Sequence, residues 1–246
     1  MRPPLLFIHG AFGQAAHFEP WLDYFRQAGF RGKAISLPGH GPSDPEALKK
    51  LRLADYLAAA GEAVQQFDRP PVVVGHSLGG LIALMLAAEG DCAGAVLVGA
   101  PAPGLPPTQP TTFRFAIPFV ARVLAGLPVP ANAAAMRRLA THDLSSAESD
   151  EIIAQSGMES GLVLRKVAFA NTTVDYEAIR CPVLCLSGGA DRIIPDYAAR
   201  KIVAATMAEH IVFPGHGHWL IAGSLTGTVA SALKGWLDRH FGREVG

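Results

Sequence analysis

Short apolar runs bounded by glycine and proline recur along the chain, at residues 5–8, 33–36, 72–74, 95–98, 183–186 and 211–213. They lack the alternation of a half-exposed strand, and so predict strands buried on both faces. Between most of them lie helix-length amphipathic stretches at residues 21–28, 51–67, 78–88, 195–204 and 226–240. Such alternation of strand and helix implies right-handed crossovers. It predicts an α/β fold with a mostly parallel central sheet of about six strands and helices on both faces.

The alternation fails within residues 103–175, which begin proline-rich and then read as several helices without an obvious strand. The expected division is a core of residues 1–102 and 176–246, with a helical cap, or lid, inserted at 103–175. Ser145-Ser146-Ala147-Glu148 has capping-box spacing ahead of Ile152 and Ile153, so one cap helix should start near Ser146. Phe113, Phe115, Ile117, Phe119, Val120, Val123 and Leu124 supply more apolar surface than a lone surface helix needs. They either pack the cap onto the core or line an apolar substrate pocket. The prolines between 101 and 118 predict stiff entry segments and a largely fixed cap.

A chain of 246 residues, half of them hydrophobic, can bury a core of that size. Lys plus Arg and Asp plus Glu each total 21, so bulk charge invites neither nucleic acid nor an anionic membrane surface. No apolar run is long enough to span a bilayer; the expectation is a cytoplasmic protein with no leader ahead of the first strand and no integral membrane association. Cys92, Cys181 and Cys185 sit in or beside apolar runs and read as buried thiols without a structural disulfide.

The chemistry concentrates where the strand at 72–74 runs into Gly75-His76-Ser77-Leu78-Gly79 and then a helix. That strand-turn-helix setting is what G-x-S-x-G needs to expose a nucleophilic serine. Gly75 and Gly79 remove side chains that would collide across the turn. Ser77 then stands at a helix N-terminus, where the Leu78 amide and the helix dipole can stabilise an oxyanion. A glycine-rich turn with an incidental serine is the plainer alternative. A serine nucleophile also needs a histidine base and an orienting carboxylate further along the chain. Asp191 follows the strand at 183–186. His216 and His218 follow the last strand, and spacing alone separates neither from the role of base.

Through Gly75-His76-Ser77-Leu78-Gly79-Gly80, His9-Gly10 and Pro38-Gly39-His40-Gly41-Pro42-Ser43-Asp44, the chain resembles the α/β-hydrolase superfamily over nearly its whole length, in the manner of its cap-bearing serine esterases and lipases. The resemblance implies that the residue after His9-Gly10, Ala11, supplies the second oxyanion amide, with Phe12 a substitute one position on. His9 then buttresses that loop. Gly188-Gly189-Ala190-Asp191 followed by Pro195 matches the family's acid loop, and Gly217-His218-Trp219 matches its histidine followed by an aromatic. Asp191 and His218 are thereby the expected acid and base, and Phe12 and Trp219 the expected substrate contacts. Relative to the family pattern, an N-terminal hairpin before Leu5 is missing.

The resulting expectation is a carboxylesterase that cleaves a small neutral ester through an acyl-enzyme on Ser77, with no cofactor. His17, His40, His142, His210 and His240 read as surface, turn or packing residues, and Asp44 as a turn or cap residue. His216-Gly217-His218 lacks a third ligand, so no metal is expected. The same triad also serves C–C bond, lactone or amide hydrolysis, acyl transfer and cofactor-free perhydrolysis. A pocket that binds a ligand without turning it over is the alternative outside catalysis.

Overall fold

A computed structural model describes residues 2–41, 46–106 and 117–242. Asp44, Phe113 and Phe115 lie outside the described residues. Eight strands are present among those described: β1 (Leu5–Ile8), β2 (Gly32–Ile35), β3 (Val72–His76), β4 (Gly94–Val98), β5 (Val129–Pro130), β6 (Met158–Glu159), β7 (Val183–Gly188) and β8 (Glu209–Phe213). Six of them, the apolar runs read from the sequence, form one sheet in the order β2-β1-β3-β4-β7-β8. Every neighbouring pair in that sheet is parallel.

Successive side chains of these strands enter different cores. Leu6, Ile8, Val73 and Leu97 pack on one face, while Leu5, Phe7, Val74 and Val98 pack on the other. Both faces of the central strands are covered, so residues 5–8, 72–74, 95–98 and 183–186 are apolar throughout, whereas the edge strands β2 and β8, also expected to be buried on both faces, are partly exposed because each has a neighbour on one side only. The helices are α1 (Glu19–Gln27), α2 (Leu53–Val64), α3 (Leu78–Glu89), α4 (Val120–Leu124), α5 (Ala133–Ala135), α6 (Ser146–Ala154), α7 (Gly161–Ala168), α8 (Asp196–Thr206) and α9 (Ser231–Phe241). Tyr56 of α2, Leu81 of α3 and Ile202 of α8 lie in the first core; Trp21 and Phe25 of α1 and Trp236 of α9 lie in the second.

The chain leaves β1 outward to the edge strand β2, then returns across β1 to β3. Strand order therefore reverses between β1 and β3. At such a switch point the connections depart to opposite sides, leaving a crevice at the carboxyl ends of the two strands. The loop carrying His9-Gly10 and the turn carrying Ser77 are those two carboxyl ends.

Between β4 and β7 runs the excursion read from the sequence. Ser145 Oγ accepts from Glu148 N at 3.3 Å, capping α6 where the capping box predicts a helix start. The sequence predicts only helices here, yet β5 and β6 pair antiparallel, Val129 opposite Glu159 and Pro130 opposite Met158. Two residues a side, one of them proline, are too few for any periodicity to register. Ile117 and Leu124 are 57% and 51% exposed, and Val120 and Leu127 are also exposed, so at these positions the apolar surplus faces outward. No described helix is long and apolar enough to cross a membrane.

Candidate active site

β3 ends at His76 and α3 begins at Leu78, leaving Ser77 alone to turn the chain. It does so at φ 52°, ψ −118°, a conformation that costs an L-residue on the order of 1–3 kcal/mol. Glycines on either side make the turn sterically feasible. A Cβ on Gly75 would fall 2.0 Å from the Gly79 carbonyl oxygen, and one on Gly79 would fall 2.2 Å from that of Ile8. Ser77 O accepts from Gly80 N and Leu81 N, so α3 starts at once. Leu78 N–H, in the first turn, has no carbonyl one turn back to bond and carries the positive end of the helix dipole.

Asp191 and His218 meet at the carboxyl ends of β7 and β8. His218 Nδ1–H donates to Asp191 Oδ2 at 2.8 Å, with both side chains buried. The other carboxylate oxygen, Oδ1, accepts from Ile193 N at 2.7 Å and Ile194 N at 3.0 Å. Burial alone would raise the Asp191 pKa, but the His218 ring and these two amides outweigh it and hold the carboxyl below its ordinary range. His216 lies elsewhere: its Nδ1 is 3.5 Å from Oδ2 of Asp143, an excursion residue that also accepts from Gly217 N at 2.8 Å.

The residue before the serine supports the histidine loop. His76 Nε2–H donates to the His218 carbonyl at 3.0 Å, and the two rings lie 4.9 Å apart. Burial, and next the nearby His218 ring, lower the His76 pKa to about 3, so it is neutral at ordinary pH. Trp219, expected at the substrate, is 5% exposed and packs edge-on against the His76 and His17 rings behind the histidine loop.

In the loop after β1, His9 is fully buried and bonds to the loop it was expected to buttress. Its Nδ1–H donates to Gly10 O at 2.8 Å while Nε2 accepts from Leu37 N at 2.9 Å. Gly10 O also accepts from Gly13 N at 3.0 Å, closing a tight turn over Ala11 and Phe12. Phe12 has φ 64°, and its N–H donates to Glu159 Oε2 at 3.4 Å. That amide is therefore occupied by a carboxylate.

Glu159 belongs to β6 and is fully buried. Nothing in the sequence singles it out, because its partners Phe12, His40 and Tyr56 are more than a hundred residues away. His40, read as a surface, turn or packing residue, is in fact half of a buried ion pair. Its Nε2 faces Glu159 Oε2 at 3.1 Å and its Nδ1 faces Pro38 O at 3.1 Å. Both partners are acceptors, so the ring is placed to carry two protons. Burial pulls the His40 pKa down, but the hydrogen bond and charge of Glu159 prevail and raise it above 6.5. A cavity of about 330 Å³ lies beside this network, lined by residues including Gln14, His40, Gln155 and Met158; Ser77 and His218 do not line it. Among the described residues no cluster of three or more His, Cys, Asp or Glu side chains is arranged to hold a metal.

The sequence matches a family described as the alpha/beta hydrolase family over residues 5–228. A "Putative esterase/lipase 2" of Mycoplasma pneumoniae is 28% identical over 86 residues, 35% of this chain and 32% of that protein. A "Monoacylglycerol lipase" of Mycolicibacterium smegmatis is 22% identical over 250 residues, covering 97% of this chain and 89% of that protein. The structure of a soluble variant of monoglyceride lipase from Saccharomyces cerevisiae superposes with a TM-score of 0.80 at 17% identity, over 98% of this chain and 87% of that one.

Proposed function

The chain belongs to the alpha/beta hydrolase family, and from that premise we propose that it is a serine hydrolase cleaving a small neutral carboxylic ester through an acyl-enzyme. Ser77 is the nucleophile, His218 the general base, Asp191 its orienting acid, and the Ala11 and Leu78 amides are the oxyanion donors. Residues 103–175 form the cap over this centre. The reading rests above all on the buried 2.8 Å hydrogen bond between His218 and Asp191, at the carboxyl edge of the sheet that also carries the strained Ser77.

Each group has a task that its surroundings suit. With Nδ1 protonated and tied to Asp191, His218 keeps Nε2 as an acceptor and takes the Ser77 proton as the hydroxyl attacks the ester carbonyl. The carbonyl oxygen becomes an oxyanion beside two backbone N–H groups whose positions are set before the reaction starts. His218, now an imidazolium stabilised by Asp191, returns the proton to the leaving alcohol, and the acyl group stays on Ser77. Water then attacks the acyl-enzyme with His218 again as base, releasing the acid and restoring the serine. Neutral esters suit a chain without net charge, and the lipase and esterase names of the relatives point the same way.

The test is hydrolysis of p-nitrophenyl esters from acetate to palmitate by the wild type and Ser77→Ala. The expected result is a loss of about three or more orders of magnitude in kcat, with an optimum chain length that sizes the acyl pocket. A wild type that labels with a fluorophosphonate but cleaves no ester has an active serine and a different substrate. A wild type that neither labels nor cleaves is a binding module.

A further inference from the structure

The oxyanion loop is held peptide by peptide, and its last anchors come from the excursion. The peptide joining Gly10 to Ala11 is fixed through its carbonyl, which accepts from His9 Nδ1 at 2.8 Å and Gly13 N at 3.0 Å. A trans peptide points its N–H opposite its C=O, so this also directs Ala11 N–H. The next peptide is fixed through Phe12 N–H on Glu159 Oε2 at 3.4 Å, and the one after through Phe12 O, which accepts from Gly157 N at 2.9 Å. Phe12 is therefore gripped at both its backbone polar groups by residues 157 and 159. It needs that grip, because φ 64° is a conformation that a bulky side chain avoids.

We propose that Glu159 is a positioning residue for the reaction, holding the Phe12 peptide from β6 so that Ala11 N–H stays aimed at the oxyanion. The inference rests on the role given to Ala11 above. Glu159 has no rotational freedom with which to drift. Oε1 accepts from Tyr56 OH at 2.7 Å and from Ser160 N at 2.7 Å, while Oε2 takes His40 Nε2 at 3.1 Å together with Phe12 N. Four donors on two oxygens use the full capacity of an ionised carboxylate, and no neutral side chain of that shape can accept all of them. His40 Nε2, buried with it at 3.1 Å, stands where a protonated ring balances the carboxylate's charge. A segment read as cap is on this account a fixed part of the catalytic apparatus, and it cannot swing away without releasing the oxyanion loop.

Glu159→Gln puts an NH2 group in place of one oxygen. Facing Phe12 it opposes a backbone N–H, and turned over it opposes Ser160 N–H. Tyr56→Phe is the control, since it removes a donor from the same carboxylate on the oxygen remote from Phe12. For both variants and the wild type the readouts are kcat and KM on a short p-nitrophenyl ester, Tm, and inhibition by a trifluoromethyl ketone, whose adduct with Ser77 carries an oxyanion. Glu159→Gln should lose about 10–100-fold in kcat, less than outright removal of an oxyanion donor. Its KM should change little, and ketone affinity should weaken by the same factor as kcat/KM. Tyr56→Phe should lose Tm with kcat nearly unchanged. If Glu159→Gln does not fold, Glu159→Asp, which keeps the charge but shortens the reach, is read by the same comparison. Wild-type kcat and ketone affinity in a folded Glu159 variant overturn the inference alone, as does an equal kcat loss in Tyr56→Phe. A wild type that neither cleaves esters nor labels with fluorophosphonate overturns the proposed function and this inference together.

Discussion

Asp191→Asn should abolish most activity through the tautomer of His218, and the structure says which way the new amide must turn. Oδ1 of Asp191 accepts from two backbone amides, Ile193 N at 2.7 Å and Ile194 N at 3.0 Å. An asparagine keeps both only by placing its carbonyl oxygen there. Its NH2 then occupies the Oδ2 position, 2.8 Å from His218 Nδ1. A donor at that place forces Nδ1 to accept and moves the ring proton to Nε2, the atom that must take the proton from Ser77. Turning the amide over would restore the tautomer but set NH2 against two N–H groups in a buried site, where each unmet donor costs about 1–3 kcal/mol. The wrong tautomer prevails, and a loss of about 10⁴-fold in kcat is expected, as for the equivalent change in other triads. That factor is about 5.4 kcal/mol of transition-state stabilisation. Steady-state kinetics on the best p-nitrophenyl ester measures it, with near-ultraviolet circular dichroism to confirm the fold. A folded Asp191→Asn within tenfold of wild type would refute the reasoning.

Three further outcomes are expected. His216→Ala should keep at least about a tenth of wild-type kcat and His218→Ala less than about a thousandth, since His218 Nδ1 is paired with Asp191 whereas His216 Nδ1 faces Asp143; equal losses would reopen the assignment. Stability should fall as pH drops below 6.5, because His9 and His76 have folded-state pKa values lowered to about 3 and His17 to about 4, chiefly by burial, so the unfolded chain binds more protons in that window. The slope is at most about 1.4 kcal/mol per pH unit for each histidine. His40 is raised and acts oppositely: its contribution is complete below 6.5 and is lost only as pH climbs through its folded value. Tm measured from pH 8 to 4.5 tests this, and a flat profile below 6.5 would contradict it. Gly75→Ala should cost more than about 4 kcal/mol or prevent soluble expression, because its Cβ would overlap the Gly79 carbonyl; a soluble variant with wild-type Tm would show that the turn can relax.

The strands, the turn at Ser77 and the loops carrying Asp191 and His218 were legible because each is written in contiguous residues. A buried parallel strand has no choice but an apolar run, and the close backbone approach around Ser77 leaves no room for a side chain at positions 75 and 79. Sequence also located the break in alternation where the excursion begins, and the Ser145 cap within it. Spacing alone left His216 and His218 open, since both occupy one short loop, and only the family resemblance favoured His218. Three-dimensional packing separates them, because Asp143 comes in from the excursion to hold the first while Asp191 holds the second.

Other features are invisible along the chain for a common physical reason. Glu159, His40, Tyr56 and Phe12 converge from four separate segments, and a charged residue in a sequence reads as solvated unless its partners are known. His76 looks like filler between Gly75 and Ser77 until its ring is seen bonded to the His218 carbonyl. Trp219 carries an aromatic signal that suits a substrate contact, yet close packing against His76 and His17 gives it a place in the core. Local conformation and burial follow from short-range sterics and hydrophobic pattern, which a sequence records residue by residue. The pairing of buried polar groups depends on which distant segments folding brings within hydrogen-bond reach, and only the tertiary structure decides that.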